Sequence, residues 1–287
     1  MTRAYLRLSL VIIIALAAFS GRQALRLVQA QSQPRIQAQA TAAGPQLPAL
    51  LPSSLPIPRT WTPPDVTKIP IGTSGESILL GMRIFQETPR YAPAYVGNKI
   101  SCGNCHIQAG TVTGAMPLVG APAWFPMYSD RAKRMISLED RIQECVTRSE
   151  NGSPLPHEGP EMRGLLSFFN WLGTSQPAGQ PGPVRGLASL PDLQGDPVRG
   201  ETVYMNQCTG CHGGDGAGVP PILPPLWGPG AYNDGAGMNQ VKKMAAFVAR
   251  NMPQNKPGTL TPQEAYDVSA YVASKPHPAY NHAYDNY

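Results

Sequence analysis

The sequence predicts a mainly α protein built from two tandem copies of one small helical unit. Three observations carry that prediction. The pentapeptides Cys102-Gly-Asn-Cys105-His106 and Cys208-Thr-Gly-Cys211-His212 repeat a single Cys-x-x-Cys-His pattern. Each follows a stretch with apolar residues at helical spacing. No alternating apolar–polar run with hairpin signals competes with the helical reading.

The N-terminus comes first. Arg3 and Arg7 precede an apolar run over residues 8–19, and Arg22 and Arg26 follow it. That run is too short to cross a bilayer comfortably and fits a secretory signal peptide over residues 1–30, with small-residue cleavage sites after Ser20 and Ala30. An uncleaved anchor is the alternative. Either way the chain is expected to be exported, periplasmic or otherwise extracytoplasmic. No cysteine precedes Cys102, which excludes lipid attachment through an N-terminal cysteine. The formal net charge of +5 rests largely on four arginines in residues 1–30, which hold no acid, so no nucleic-acid face remains to explain.

Residues 31–70 are rich in Pro, Gln and Ala and read as a linker or surface strap; residues 177–194 share that composition and separate the two units, 71–176 and 195–275. In the first unit, residues 75–87 place Ile78, Leu79, Met82 and Ile84 or Phe85 on one helical face. Ser137 caps a helix with acids in its first turn, expected to close at Gly152. Residues 161–172 form a third helix. In the second unit, residues 197–207 lead into the repeated motif and residues 239–251 form the next helix. Thr261-Pro262-Gln263-Glu264 is a capping box opening a last helix that reaches Ser274. The aromatic and polar residues 276–287 read as a disordered end.

Two cysteines at this spacing can each add a thiol to a haem vinyl group, and the adjacent histidine can ligate the iron. Zinc knuckles or redox dithiols would explain one such motif, but not two behind amphipathic helices in an exported chain. Each unit is therefore expected to be a class I cytochrome c-like domain with one covalently bound haem c. Cys102, Cys105, Cys208 and Cys211 attach the haems, and His106 and His212 are the proximal ligands. The glycines of residues 213–218 lack the strand and lysine of a phosphate loop and read as a turn.

The second axial ligands decide the chemistry. In the second unit Met252, in Asn-Met-Pro, follows a helix where the chain can fold back over the haem, whereas Met238 and Met244 lie before or within that helix. In the first unit the candidates are Cys145, Met162, Met116, Met127 and His157. An ordinary electron carrier would use Met162, and a lone cysteine is often just a small buried apolar residue. Yet at helical spacing Arg141, Cys145 and Arg148 fall within roughly 60° of one another, with Ser149 a little further round. Leu138, Ile142 and Val146 form the adjoining apolar stripe. Neighbouring cations favour the thiolate that binds a metal. Trp124 and Phe125 are expected on the first haem edge, and His157, His277 and His282 receive no role.

The stretches VGNKISCGNCHIQAG and PLVGAPAWFPMYSDRAKRMISLEDRIQECVTRSENGSPLP resemble the N-terminal domain of dihaem thiosulfate dehydrogenases, and the resemblance extends over about residues 71–275. Its most specific element is RIxxCxxRSxNG. The resemblance implies His/Cys ligation at the first haem, through His106 and Cys145, and His/Met ligation at the second, through His212 and Met252. It also implies an anion pocket lined by Arg131 and Arg141, with Arg148 and Ser149 nearby. The implied reaction oxidises two thiosulfates to tetrathionate, or runs in reverse, and passes electrons to a carrier such as a small soluble cytochrome c. Where the family shows Lys-Met-Pro, this chain has Asn251-Met252-Pro253, which puts in question a lysine-to-methionine ligand exchange. Two other readings stay open. One is a dihaem electron carrier with Met162 on the first haem and no substrate. The other is a sulfur-oxidation cytochrome that conjugates thiosulfate to a carrier protein, against which the retained Met252 argues.

Overall fold

Six helices of three or more turns carry the described part of the chain, residues 63–175 and 185–287 of a computed structural model. The signal peptide expected over 1–30, most of the 31–70 strap and residues 177–184 of the linker lie outside the described residues. Among those described, no helix is long and apolar enough to cross a membrane. The helices are α1 (Thr73–Gln86), α2 (Leu138–Arg148), α3 (Pro160–Leu172), α4 (Pro197–Gln207), α5 (Val241–Asn251) and α6 (Pro262–Ala273). Single helical turns hold the two cysteine motifs, at Cys102–Cys105 and Thr209–His212.

Duplication shows in how the helices cross. In the first domain α1 packs on α3, and a Cβ at Gly81 would lie 1.9 Å from the Gly164 carbonyl oxygen. In the second, α4 packs on α6, where a Cβ at Gly200 would lie 2.0 Å from the Asp267 carbonyl oxygen. A side chain at either point would force the helices apart, so each domain places a glycine where its two principal helices touch. Ile78, Met82 and Phe85 of α1 then bury against Met162, Leu165, Phe168 and Phe169 of α3, with Ile142 and Val146 of α2 closing the core. Full burial of each large apolar side chain is worth about 1.5–3 kcal/mol. The second core gathers Tyr204, Met244, Val268, Tyr271 and Val272, and it also takes Ile100 from the first domain. A third cluster joins the domains: Ile107, Val112 and Ala115 pack on Phe247 of α5, flanked by Leu187 and Met252.

The helix starts follow their sequence signals. Ser137 Oγ accepts from the Asp140 amide at 3.1 Å, and Asp140 Oδ2 accepts from the Ser137 amide at 3.0 Å. Thr261 and Glu264 make the same reciprocal box at α6. Three features depart from the sequence reading. α2 ends at Arg148 rather than Gly152, because Asn151 takes a left-handed conformation, φ 47°. A short antiparallel hairpin, β1 (Met127–Ser129) and β2 (Arg134–Ile136), precedes α2; three-residue strands are too short to show alternation. Residues 276–287 do not form a loose end. Tyr280 is 8% exposed, its amide donates to Asp234 Oδ1 at 2.8 Å, and Arg134 Nη2 donates to the Asn286 carbonyl at 2.8 Å. The described part of the linker is bound as well: Leu190 and Leu193 pack on Ala245, Ala265 and Tyr266.

Candidate functional site

Each histidine of the two motifs is aimed by a backbone carbonyl. His106 Nδ1 lies 2.6 Å from the Met116 carbonyl oxygen and His212 Nδ1 lies 3.0 Å from that of Pro224. A carbonyl only accepts, so Nδ1 carries the proton and Nε2 keeps its lone pair for a metal. Burial lowers the pKa of His106 to about 4, and that of His212 in the same direction, which keeps both rings neutral. The thiols are driven the other way. Burial is the main cause for Cys102, well above the usual range, for Cys105, pushed up to about 12, and for Cys208, pushed up to about 11. Cys102, Cys105 and His106 lie on one turn, as do Cys208, Cys211 and His212. Paired thiols beside an imidazole with a free Nε2 fit a covalently attached haem twice over.

Cys145 lies within electrostatic reach of the first motif. It sits on α2, and its charge raises the thiol pKa of both Cys102 and Cys105, which places it beside the haem motif. The other first-domain candidates are occupied elsewhere. Met162 is fully buried in the α1–α3 core, and the Met116 side chain packs on the Ile107–Phe247 cluster between the domains. Met127 lies on β1, and His157 is exposed on a turn. In the second domain Met244 is core, whereas Met252 caps α5 in an extended conformation and is half-buried.

Two of the cations, Arg141 and Arg131, sense Cys145. The Cys145 thiol is the main influence raising the Arg141 pKa, and Arg141 in turn lowers that of His106. Arg141 Nη1 pairs with Glu144 Oε2 at 2.5 Å, and Glu144 is 3% exposed. Arg131, on the turn between β1 and β2, is lowered by burial first and then by Arg148, and it also senses Arg141 and Cys145. Arg148 is buried; its guanidinium lies 4.4 Å from the Tyr280 ring centroid. Ser149 caps α2, and its carbonyl accepts from Asn98 Nδ2 at 2.8 Å. Trp124 lies under Arg185 at 4.0 Å, and Phe125 packs on the first core.

Sequence reasoning missed three members of this neighbourhood. Lys243, on α5 of the second domain, is lowered by burial and then by Arg131 and Arg141, so it faces the same cluster across the domain boundary. Nothing near it in the sequence signals this. Glu144 stands three residues after Arg141, a pairing the helical spacing offers. Glu150 is fully buried, hydrogen-bonded to Thr88 Oγ1 at 2.8 Å and to Cys102 Sγ at 3.2 Å, and burial raises its pKa to about 7.

Comparison with known proteins places these features in a family. Residues 91–176 match the SoxA/TsdA cytochrome c domain and residues 197–275 match cytochrome c. The thiosulfate dehydrogenase of Allochromatium vinosum is 38% identical over 76% of this chain and 85% of its own length. That of Stutzerimonas stutzeri is 37% identical over 76% and 73%. The solved structure of a thiosulfate dehydrogenase (TsdBA) from Marichromatium purpuratum superposes with a TM-score of 0.68 at 37% identity over 74% of this chain. The match spans about half of that longer chain, 48%. Two cytochrome c domains, two haem c groups and relatives this similar over most of their length mean that the chain belongs to the thiosulfate dehydrogenase family.

Proposed function

We propose that this chain is a thiosulfate dehydrogenase that joins two thiosulfate anions into tetrathionate beside Cys145 and gives the two electrons to an external acceptor. The observation that carries the reading is that Arg131 and Arg141 both sense Cys145, a cysteine close to the first haem motif, with Arg148 beside Arg131. The haems supply one-electron redox chemistry when bound; Cys102, Cys105, His106 and Cys145 would hold the first, and Cys208, Cys211, His212 and Met252 the second. The remaining work falls to the side chains around them.

The reaction forms one sulfur–sulfur bond, breaks none and moves no proton: two S2O3 dianions give one S4O6 dianion and two electrons. An acid or base is therefore not required. The obstacle is charge. Two dianions 4 Å apart repel by about 4 kcal/mol in water and about 16 kcal/mol at an effective dielectric constant near 20. Arg131, Arg141 and Arg148 offset this repulsion and orient both anions, with Ser149 and Lys243 at the margin. Glu144 fixes Arg141 through the 2.5 Å ion pair. The neutral His106 is held in one orientation by the Met116 carbonyl, with Nε2 free to bind a metal.

Full burial of Met162 in the core weighs against the electron-carrier reading. The same site would run in reverse as a tetrathionate reductase with a strong reductant. An exported setting, with a small soluble periplasmic carrier as acceptor, follows from the arginine-flanked apolar segment of residues 1–30. The domain limits we adopt are 71–176 for the catalytic unit and 195–275 for the electron-transfer unit.

The test is thiosulfate-dependent reduction of ferricyanide by the purified dihaem protein, with tetrathionate identified as product. Turnover that Cys145→Gly abolishes while both haems stay attached is the expected result. An intact protein that turns over neither thiosulfate nor tetrathionate overturns the reading.

A further inference from the structure

Arg148 differs from the other arginines of the site. It is 4% exposed, yet its buried Nη1 has no hydrogen-bond partner. Its Nη2 lies 3.8 Å from Asp285 Oδ1, a long contact to a carboxylate whose side chain is 56% exposed. The guanidinium stacks on Tyr280 at 4.4 Å. Both partners come from residues 276–287, which leave the second domain after α6 and end on the hairpin and α2 of the first. That path is closely held. The Asp234 amide donates to the Pro278 carbonyl at 3.0 Å, and His277 stacks on Tyr232 with centroids 4.7 Å apart. Gly235 lies so near that a Cβ there would come within 2.8 Å of Tyr280 Cγ.

A buried, charged donor left unpaired is costly, and cations are seldom buried without an anion. Asp285, at 3.8 Å from Nη2, orients the guanidinium but leaves Nη1 without an acceptor. The Arg131 pKa is lowered by burial first and then by the charge of Arg148, so the two guanidiniums lie within electrostatic reach of one another. An anion that accepts from Arg148 Nη1 and Arg131 would satisfy that donor and offset both charges.

We propose that segment 276–287 is part of the anion site, with Tyr280 and Asp285 as positioning residues that hold Arg148 so that its unpaired Nη1 binds the thiosulfate dianion together with Arg131. This rests on the thiosulfate-binding reading above. It makes one anion subsite a joint product of both domains, since the segment that aims Arg148 is anchored on the second.

The experiment measures KM and kcat for thiosulfate in the holoprotein and in Tyr280→Leu, Tyr280→Phe and Asp285→Asn, with haem content and melting temperature alongside. Calorimetric titration with sulfate, a dianion that is not oxidised, accompanies it. Loss of the ring in Tyr280→Leu raises KM and weakens sulfate binding by roughly 3- to 30-fold, the range of a buried cation–π contact, with kcat little changed. Tyr280→Phe keeps the ring and rescues both. Asp285→Asn decides by sign and, being exposed, leaves folding intact. Positioning predicts a higher KM, whereas simple removal of a negative charge beside an anion site predicts a lower one. An unchanged KM in Tyr280→Leu, or a lower or unchanged KM in Asp285→Asn, overturns the proposal. Absence of thiosulfate turnover in the intact protein would fall on the function instead, and the sulfate titrations would still judge the segment.

Discussion

Replacing Arg141 by glutamine removes a cation on which Cys145 is the largest influence, and exposes a second consequence. Arg141 Nη1 and Glu144 Oε2 are 2.5 Å apart, and Glu144 is 3% exposed with its Oε1 unpartnered. The substitution therefore deletes a positive charge and leaves a buried carboxylate unpaired where dianions must bind. One unit charge acting on a dianion at 4 Å is worth about 2 kcal/mol in water and about 8 kcal/mol at a dielectric constant near 20. The Arg141 side chain is 47% exposed, so the lower part of that span applies. A loss of about 2–4 kcal/mol in transition-state stabilisation corresponds to roughly 30- to 900-fold in kcat/KM. Initial rates of thiosulfate-dependent ferricyanide reduction measure it, repeated across ionic strengths, since screening should flatten the difference between wild type and variant. The double variant Arg141→Gln/Glu144→Gln should regain at least about fivefold over the single one, because it removes the stranded carboxylate. A single variant within threefold of wild type at low salt would refute the reasoning.

Gly81→Ala and Gly200→Ala should each lower the melting temperature, because the added methyl meets backbone 1.9 Å and 2.0 Å away; overpacking of this kind costs about 1–3 kcal/mol or more, and an unchanged melt would contradict the crossing. Asp267 is bonded by Arg199 Nε and Nη2 at 2.7 and 2.8 Å and by the Asp196 amide at 2.8 Å; although burial opposes it, these donors hold its carboxyl below the usual value of 3.8. A lowered carboxyl pKa gives stability that is present above 3.8 and lost as pH falls through the depressed value. Asp267→Asn should thus cost about 1.5–3 kcal/mol at pH 7 by urea unfolding, with the penalty shrinking below pH 3.8. Met252→Ala should lower the potential of the second haem in a redox titration and leave the first unchanged; equal shifts in both would misplace that ligand.

The helices and their starts were legible because each signal is local: Ser137 with Asp140 and Thr261 with Glu264 cap their helices within four residues. The two Cys-x-x-Cys-His motifs were legible for the same reason, each lying within five residues. Cys145 with Arg141 and Arg148 could be read from helical spacing on α2. The glycine crossings could not, since Gly81 acquires meaning only once Gly164 lies against it. Lys243 and Tyr280 reach the site from the other domain, and no local pattern reports a partner brought close by the fold. Residues 276–287 misled because polar and aromatic composition suits a loose end. Their order comes from contacts with Asp234, Tyr232 and Arg148 that composition does not encode.

Low-temperature electron paramagnetic resonance of the ferric dihaem protein, wild type beside Cys145→Met, tests the central claim that Cys145 is both iron ligand and reaction centre. The account predicts one low-spin signal of thiolate-ligated type in wild type, lost in the variant together with thiosulfate turnover, while the second haem's signal persists. Two signals that both survive the substitution would place Cys145 off the iron and contradict it.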